Sequence, residues 1–289
     1  MLKKIIDISS IEESIKEGEK RFQNLRPNIE KKIIWSDKPS NKTKISLVFI
    51  HGFSATRAEL SPVIENVAKE LKANVFLTRL TGHGQDGQSL GQASLDEWLK
   101  DTEEAIKVGE IIGDSVVLIG SSTGCSLIHR ALEKHLKIKA VIYVSPNFGP
   151  KSFLGPLLRI PGARWLLPIF LGKEISFFPE NPENERCWTL SYPPKALLTT
   201  KDAVIEAHKV DHNKIKVPML FWFSDEDKIV SNKATRRVIS KIGSNASVYN
   251  PTLTSIDDPS RHCILGDILS PSQTKNGVDK IVDWLKKNI

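Results

Sequence analysis

Cysteine is scarce in this chain. Cys125, Cys187 and Cys263 are the three it has, widely spaced and without metal-ligand spacing, so no metal site is indicated and a reducing, cytoplasmic location is the simplest expectation. No apolar run is long enough to span a bilayer. The opening residues, Met1-Leu2-Lys3-Lys4-Ile5-Ile6-Asp7, become charged too soon for a signal peptide. Internal repeats and low-complexity segments are missing. So are RNA- and DNA-binding motifs, which argues against a nucleic-acid partner; the net charge of +7 is accounted for by solubility. What is present is ordinary for a soluble globular protein: 40% hydrophobic and 26% charged residues over 289 positions, enough for one large domain or a core domain with an insertion.

One stretch lacks acidic residues altogether. Between Asn147 and Lys173 the charges are Lys151, Arg159, Arg164 and Lys173. The same stretch carries Phe153, Leu154, Leu157, Leu158, Ile160, Trp165, Leu166, Leu167, Ile169, Phe170 and Leu171, broken by proline and glycine. It suits the packed underside of a small lid. It suits equally a face turned to an anionic amphiphile, with transient contact to a membrane surface.

Hydrophobic periodicity divides the rest. Residues Ser9 to Leu25 read as a helix, with Ile11, Ile15, Phe22 and Leu25 on one side, ended by Arg26-Pro27; it reads as a packing appendage without chemistry. Strands are expected at Lys32–Trp35, Ile45–Ile50, Asn74–Leu80, Val116–Ile119, Ala140–Val144, Pro218–Phe223 and Ala246–Tyr249. Helices are expected at Glu59–Leu71, after Ser94 (with Glu97 completing a capping box), after the Gly120–Gly124 turn, at Ser231–Ile242 and at Gly277–Ile289. Such alternation implies a mostly parallel sheet covered on both faces. It stops from Asn147 to Val217, where only helical fragments are legible. The expected organisation is an N-terminal helical appendage over 1–30, a core over 31–146 and 218–289, and a lid or cap insertion over 147–217. Ligands of open α/β sheets bind at the carboxyl edge of the strands, where such an insertion would sit.

Chemistry is most legible at Gly120-Ser121-Ser122-Thr123-Gly124. A buried β-branched strand runs into this G-x-S-x-G turn and on into a helix, the context in which a serine is lifted out of the backbone. Ser122 then stands at a helix N-terminus, where free N–H groups favour developing negative charge. Three further stretches accompany it: Ile50-His51-Gly52-Phe53, Arg79-Leu80-Thr81-Gly82-His83-Gly84, and the C-terminal pair of segments holding Asp227 and His262. Together they resemble the α/β-hydrolase superfamily. Within it the chain is similar to lid-bearing bacterial carboxylesterases and monoacylglycerol-lipase-like enzymes. The resemblance covers the chain from about Lys32 onward and shares the order Ser…Asp…His.

The resemblance implies Ser122 as nucleophile, His262 as base and Asp227 as the acid that orients the imidazole. Asp225 and Glu226 are close rivals for the last role. The oxyanion donors would be the backbone N–H groups of Phe53 and Thr123, with Ser54 as fallback for the first. Phe53, Ser54 and Ser121 would border the substrate. The chain lacks the His-Gly-Gly-Gly form of another esterase branch; His51 and His83 read as loop braces. The implied reaction is acyl transfer through an acyl-enzyme on Ser122, needing no metal or cofactor. The implied substrate is a small to medium lipophilic ester: a simple carboxylic ester, a monoacylglycerol or a lysophospholipid. A thioesterase, a C–C hydrolase or an acyltransferase would use the same three residues. An inactive binding protein on this scaffold is the remaining alternative, against which the intact Ser122, Asp227 and His262 argue.

Overall fold

β-branched and aromatic residues, apolar on both sides of the pleat, make strands that need cover on both faces. In the computed structural model, which describes residues 7–135, 137–151 and 162–289, they obtain it. The elements run α1 (Ile11–Glu19), β1 (Lys32–Ile34), β2 (Thr43–Ile50), α2 (Val63–Leu71), β3 (Asn74–Leu77), α3 (Gly87–Gln92), α4 (Leu95–Ile112), β4 (Gly113–Ser121), α5 (Thr123–Ala131) and β5 (Ile138–Val144). Then follow α6 (Ala163–Leu171), β6 (Ile175–Ser176), α7 (Pro182–Cys187), β7 (Ser191–Tyr192), α8 (Ala196–Ala207), β8 (Met219–Trp222), α9 (Asn232–Ile242), β9 (Ala246–Tyr249) and α10 (Thr274–Asn288).

Seven strands form one sheet in the order β1-β3-β2-β4-β5-β8-β9. All neighbours are parallel except β1, which runs antiparallel to β3 at one edge. Successive side chains alternate between two apolar layers. Val48, Ile50, Leu118, Val141 and Phe221 face α4, α5, α8 and α9. Leu47, Phe49, Ile119, Ile142 and Trp222 face α2 and α10. The order reverses at β2, so β4, which carries Ser122 at its carboxyl end, is central.

The structure departs from the sequence reading in several places. α1 stops at Glu19 instead of reaching Leu25, because the chain turns there: Asn24 adopts φ 57°, and Phe22 lies over the Arg79 guanidinium at 4.1 Å. α2 starts at Val63, after Pro62, since residues before it turn inward and bury Glu59. Between β5 and β8 there is more order than helical fragments. β6 and β7 pair antiparallel, and α8 buries Ala196, Ala203 and Ala207 in the same apolar layer as α4 and α5. Phe153, Leu154, Leu157, Leu158, Arg159 and Ile160 lie outside the described residues.

Candidate active site

The turn between β4 and α5 holds Ser122 at φ 48°, ψ −113°, a strained conformation for a residue with a Cβ. Three bonds hold it there: Ser122 N–H donates to Val144 C=O at 2.9 Å, and its own carbonyl accepts from Cys125 N–H at 3.1 Å and Asn147 N–H at 3.1 Å. The turn is tight enough to require glycine on both sides. A Cβ on Gly124 would stand 2.1 Å from the Ile50 carbonyl oxygen, and one on Gly120 2.9 Å from the Cys125 nitrogen.

His262 and Asp227 meet this serine from other strands' ends. His262 Nε2 lies 2.9 Å from Ser122 Oγ, and His262 Nδ1 lies 2.8 Å from Asp227 Oδ2. Asp227 follows β8 and is fully buried. Its Oδ1 accepts the N–H groups of Ile229 at 2.8 Å and Val230 at 2.9 Å, and the Lys151 ammonium donates to its backbone carbonyl. Of the rivals, Asp225 is exposed and grips Arg236 through both oxygens at 2.7 Å, while Glu226 points to Arg261 at 3.7 Å. Burial disfavours a charged His262, but the Asp227 charge and hydrogen bond outweigh it, and the imidazole pKa rises above 6.5.

The loop bearing His262 has its own anchor. Asp258 Oδ2 accepts the N–H groups of His262 at 2.9 Å and Cys263 at 2.7 Å and the Ser260 hydroxyl at 2.6 Å; Oδ1 accepts Ser260 N–H at 2.9 Å. Burial would raise this carboxyl, and those donors more than offset it, leaving the pKa lowered. Ser145 at the end of β5 donates its hydroxyl to the His262 carbonyl at 2.5 Å.

On the other side of Ser122 stands the loop after β2. A Cβ built on Gly52 would fall 3.2 Å from Ser122 Cβ, which puts this loop against the serine. Among the described residues neither Phe53 N–H nor Thr123 N–H donates to a protein acceptor. The Phe53 ring packs edge-on to Tyr192 at 5.0 Å. Ser54, at φ 63°, accepts Thr189 N–H at 2.7 Å on its carbonyl. Ser121 is buried behind the serine. His51 bonds Gly52 C=O through Nδ1 at 2.8 Å and accepts Leu80 N–H on Nε2 at 3.0 Å; burial brings its pKa down to about 4, so it braces the loops as a neutral ring. His83 packs edge-on to it at 4.8 Å and is likewise held neutral by burial. Among the described residues no group of three or more His, Cys, Asp or Glu is arranged to hold a metal ion.

The sequence reading missed Asp258, Glu59 and Glu19. The run Asp257-Asp258-Pro259-Ser260 carried a signal, since Asp before Pro and Ser closes turns through its side chain. Glu59 carried none. Glu19, in the segment read as lacking chemistry, pairs through both oxygens with the buried Arg79 at 2.7 and 2.8 Å. Arg79 in turn donates to the His83 carbonyl at 3.1 Å, so α1 fixes the loop after β3.

Known proteins resemble this chain along nearly its whole length. The family model described as serine aminopeptidase, S33, matches residues 41–267. A thermostable monoacylglycerol lipase from Bacillus sp. (strain H-257) is 24% identical over 186 residues, 64% of this chain and 72% of that lipase. Among solved structures, one from work on the metagenome-derived lipolytic enzymes LipS and LipT superposes with a TM-score of 0.70 at 16% identity, over 91% of this chain and 99% of that one. The monoacylglycerol lipase of Paleococcus ferrophilus superposes with a TM-score of 0.65 at 20% identity, over 90% and 98%.

Proposed function

The chain belongs to the family described as serine aminopeptidase, S33, and has the α/β-hydrolase fold; we propose that it is a serine hydrolase cleaving carboxylic esters of small to medium lipophilic acyl groups. The observation that carries this reading is the unbroken series from Asp227 through His262 to Ser122, at 2.8 and 2.9 Å. Ser122 Oγ attacks the ester carbonyl carbon while His262 Nε2 takes its proton. The carbonyl electron pair moves onto oxygen, where the N–H groups of Phe53 and Thr123 receive it. The tetrahedral intermediate collapses, the C–O bond to the alcohol breaks, and His262 returns the proton to the leaving oxygen. Water, deprotonated by His262, then releases the acid and restores Ser122. Asp227 stays ionised throughout and stabilises the imidazolium.

We assign residues 147–217 to a lid or cap insertion, of which α8 is packed into the core layer, 31–146 and 218–289 to the catalytic core, and 1–30 to an appendage. In that lid Trp165, Ile169, Phe170, Phe177 and Phe178 are exposed, which supports a lipid-like ester as substrate and transient contact with a lipid surface. Three free thiols suit a reducing, cytoplasmic setting. Monoacylglycerols and lysophospholipids fall within the substrate class.

The test is hydrolysis of p-nitrophenyl esters, acetate to palmitate, by the wild type and Ser122→Ala, with fluorophosphonate labelling of both. Activity peaking at one chain length, and reduced on the order of a million-fold in the variant, is the expected result. Unchanged activity in Ser122→Ala removes Ser122 as nucleophile. Labelling of Ser122 without hydrolysis of any oxygen ester moves the assignment to thioester, C–C or acyl-transfer chemistry on the same residues.

A further inference from the structure

Glu59 is a buried carboxyl that the acyl-transfer steps do not use. It is 4% exposed, in the segment between β2 and α2. Its Oε2 accepts Gly52 N–H at 2.7 Å. A Cβ built on Gly52 would lie 2.9 Å from Glu59 Oε1 and 3.2 Å from Ser122 Cβ, so the carboxyl stands directly behind the serine. Ser122 Oγ is 2.9 Å from His262 Nε2, so the carboxyl and the imidazole flank the same serine.

Gly52 is held at both ends. Glu59 takes its N–H, and His51 Nδ1 bonds its carbonyl at 2.8 Å. The next amide along this pinned stretch is Phe53 N–H, the oxyanion donor, whose direction follows from the peptide plane that Gly52 C=O shares with it. A hydrogen bond on that carbonyl also polarises the peptide and strengthens its N–H as a donor.

We propose that Glu59 is a positioning residue for the reaction. Its carboxylate fixes Gly52 beside the nucleophile, so that the Phe53 amide is aimed at the oxyanion, and its negative charge backs His262 as the imidazolium forms. A neutral acceptor would satisfy Gly52 N–H without the cost of dehydrating a charge. The charge therefore has a use beyond the hydrogen bond. It adds to Asp227 in raising the His262 pKa, although burial pushes the carboxyl's own pKa up.

This inference rests on Ser122 acting through His262, and two variants test it apart from that reading. Glu59→Gln keeps an acceptor for Gly52 but removes the charge. The acid limb of its kcat/KM profile is expected to move down by about half a pH unit or more, because with the imidazolium less favoured the imidazole stays neutral to lower pH. Glu59→Asp keeps the charge but draws it back by one methylene. Its acid limb is expected to hold, while kcat falls about tenfold to a hundredfold at unchanged KM. Fluorophosphonate labelling of wild-type Ser122 checks the underlying reading independently, and thermal melts check folding. An unmoved limb in folded Glu59→Gln, or wild-type kcat in Glu59→Asp, overturns the proposal; should Glu59→Gln not fold, the Glu59→Asp result decides alone.

Discussion

Asp227 divides its two oxygens between the site and its own turn: Oδ2 stands 2.8 Å from His262 Nδ1, and Oδ1 accepts two backbone N–H groups at 2.8 and 2.9 Å. Held this way, the carboxylate selects the imidazole tautomer whose Nε2 lone pair faces Ser122. It also raises the His262 pKa above 6.5. A protonated His262 cannot take the serine proton, so kcat/KM should rise along an acid limb whose midpoint lies above 6.5. Asp227→Asn should move that limb down and lower kcat by about 10⁴-fold. A wild-type limb at or below 6.5 would contradict the coupling.

Asp258 makes the same kind of prediction one step farther from the chemistry. It takes the backbone N–H groups of Ser260, His262 and Cys263, so Asp258→Ala leaves three amides without their acceptor. An orphaned buried donor costs about 1–3 kcal/mol; these three are part-buried, so a stability loss of about 2 kcal/mol is expected in urea titration. The released loop should displace His262 and lower kcat about a hundredfold. Stability lost with kcat intact would show that the loop does not depend on Asp258 for its catalytic position.

What was legible in the sequence was local. The Ser94–Glu97 capping box forms as expected, with Ser94 Oγ accepting Glu97 N–H at 3.3 Å and Glu97 accepting Ser94 N–H at 2.8 Å. The strand, turn and helix around Ser122 follow from apolar runs and two glycines a few residues apart. What was not legible depends on partners far away in the chain. Glu19 ends α1 beside Arg79, 60 positions on, and nothing near Glu19 announces that. Glu59 looks like any solvated acid until Gly52 folds against it. α8 carries weak periodicity because its small alanines pack against α5 and α4; only the assembled layer distinguishes it from the irregular chain before it.

The Glu19–Arg79 pair therefore predicts a stability effect in a segment remote from the chemistry. Burial alone would raise the Glu19 pKa, but the hydrogen bonds and charge of Arg79 outweigh it and hold the carboxyl below 4.5. The pair's contribution is complete above that value and is lost as pH falls through the lowered one. Glu19→Ala strands a buried guanidinium, an expected loss of about 3–5 kcal/mol and roughly 10 °C in Tm. The gap between wild type and variant should narrow in acid, where Glu19 is protonated in both states. A gap that widens toward low pH would rule out the ion pair as its source.

Two glycines should respond to the same substitution with opposite signs. Gly124 packs the first turn of α5 against the end of β2, and a Cβ there would lie 2.1 Å from Ile50 O and 2.8 Å from His51 O. Both obstacles are backbone, at the end of β2 and the start of the loop that carries Gly52 and Phe53, so neither can step aside without moving the loop beside Ser122. Gly124→Ala should cost stability and also lower kcat in whatever fraction folds. Gly18 sits in α1, exposed, with nothing within 4 Å of an added Cβ. There the main effect is on the unfolded chain's freedom, and Gly18→Ala should stabilise by about 0.5–1 kcal/mol with kcat unchanged. Thermal melts and ester hydrolysis on the two variants separate the cases. A neutral Gly124→Ala would mean that α5 can withdraw from β2, and with it Ser122 from its fixed place between Gly52 and His262.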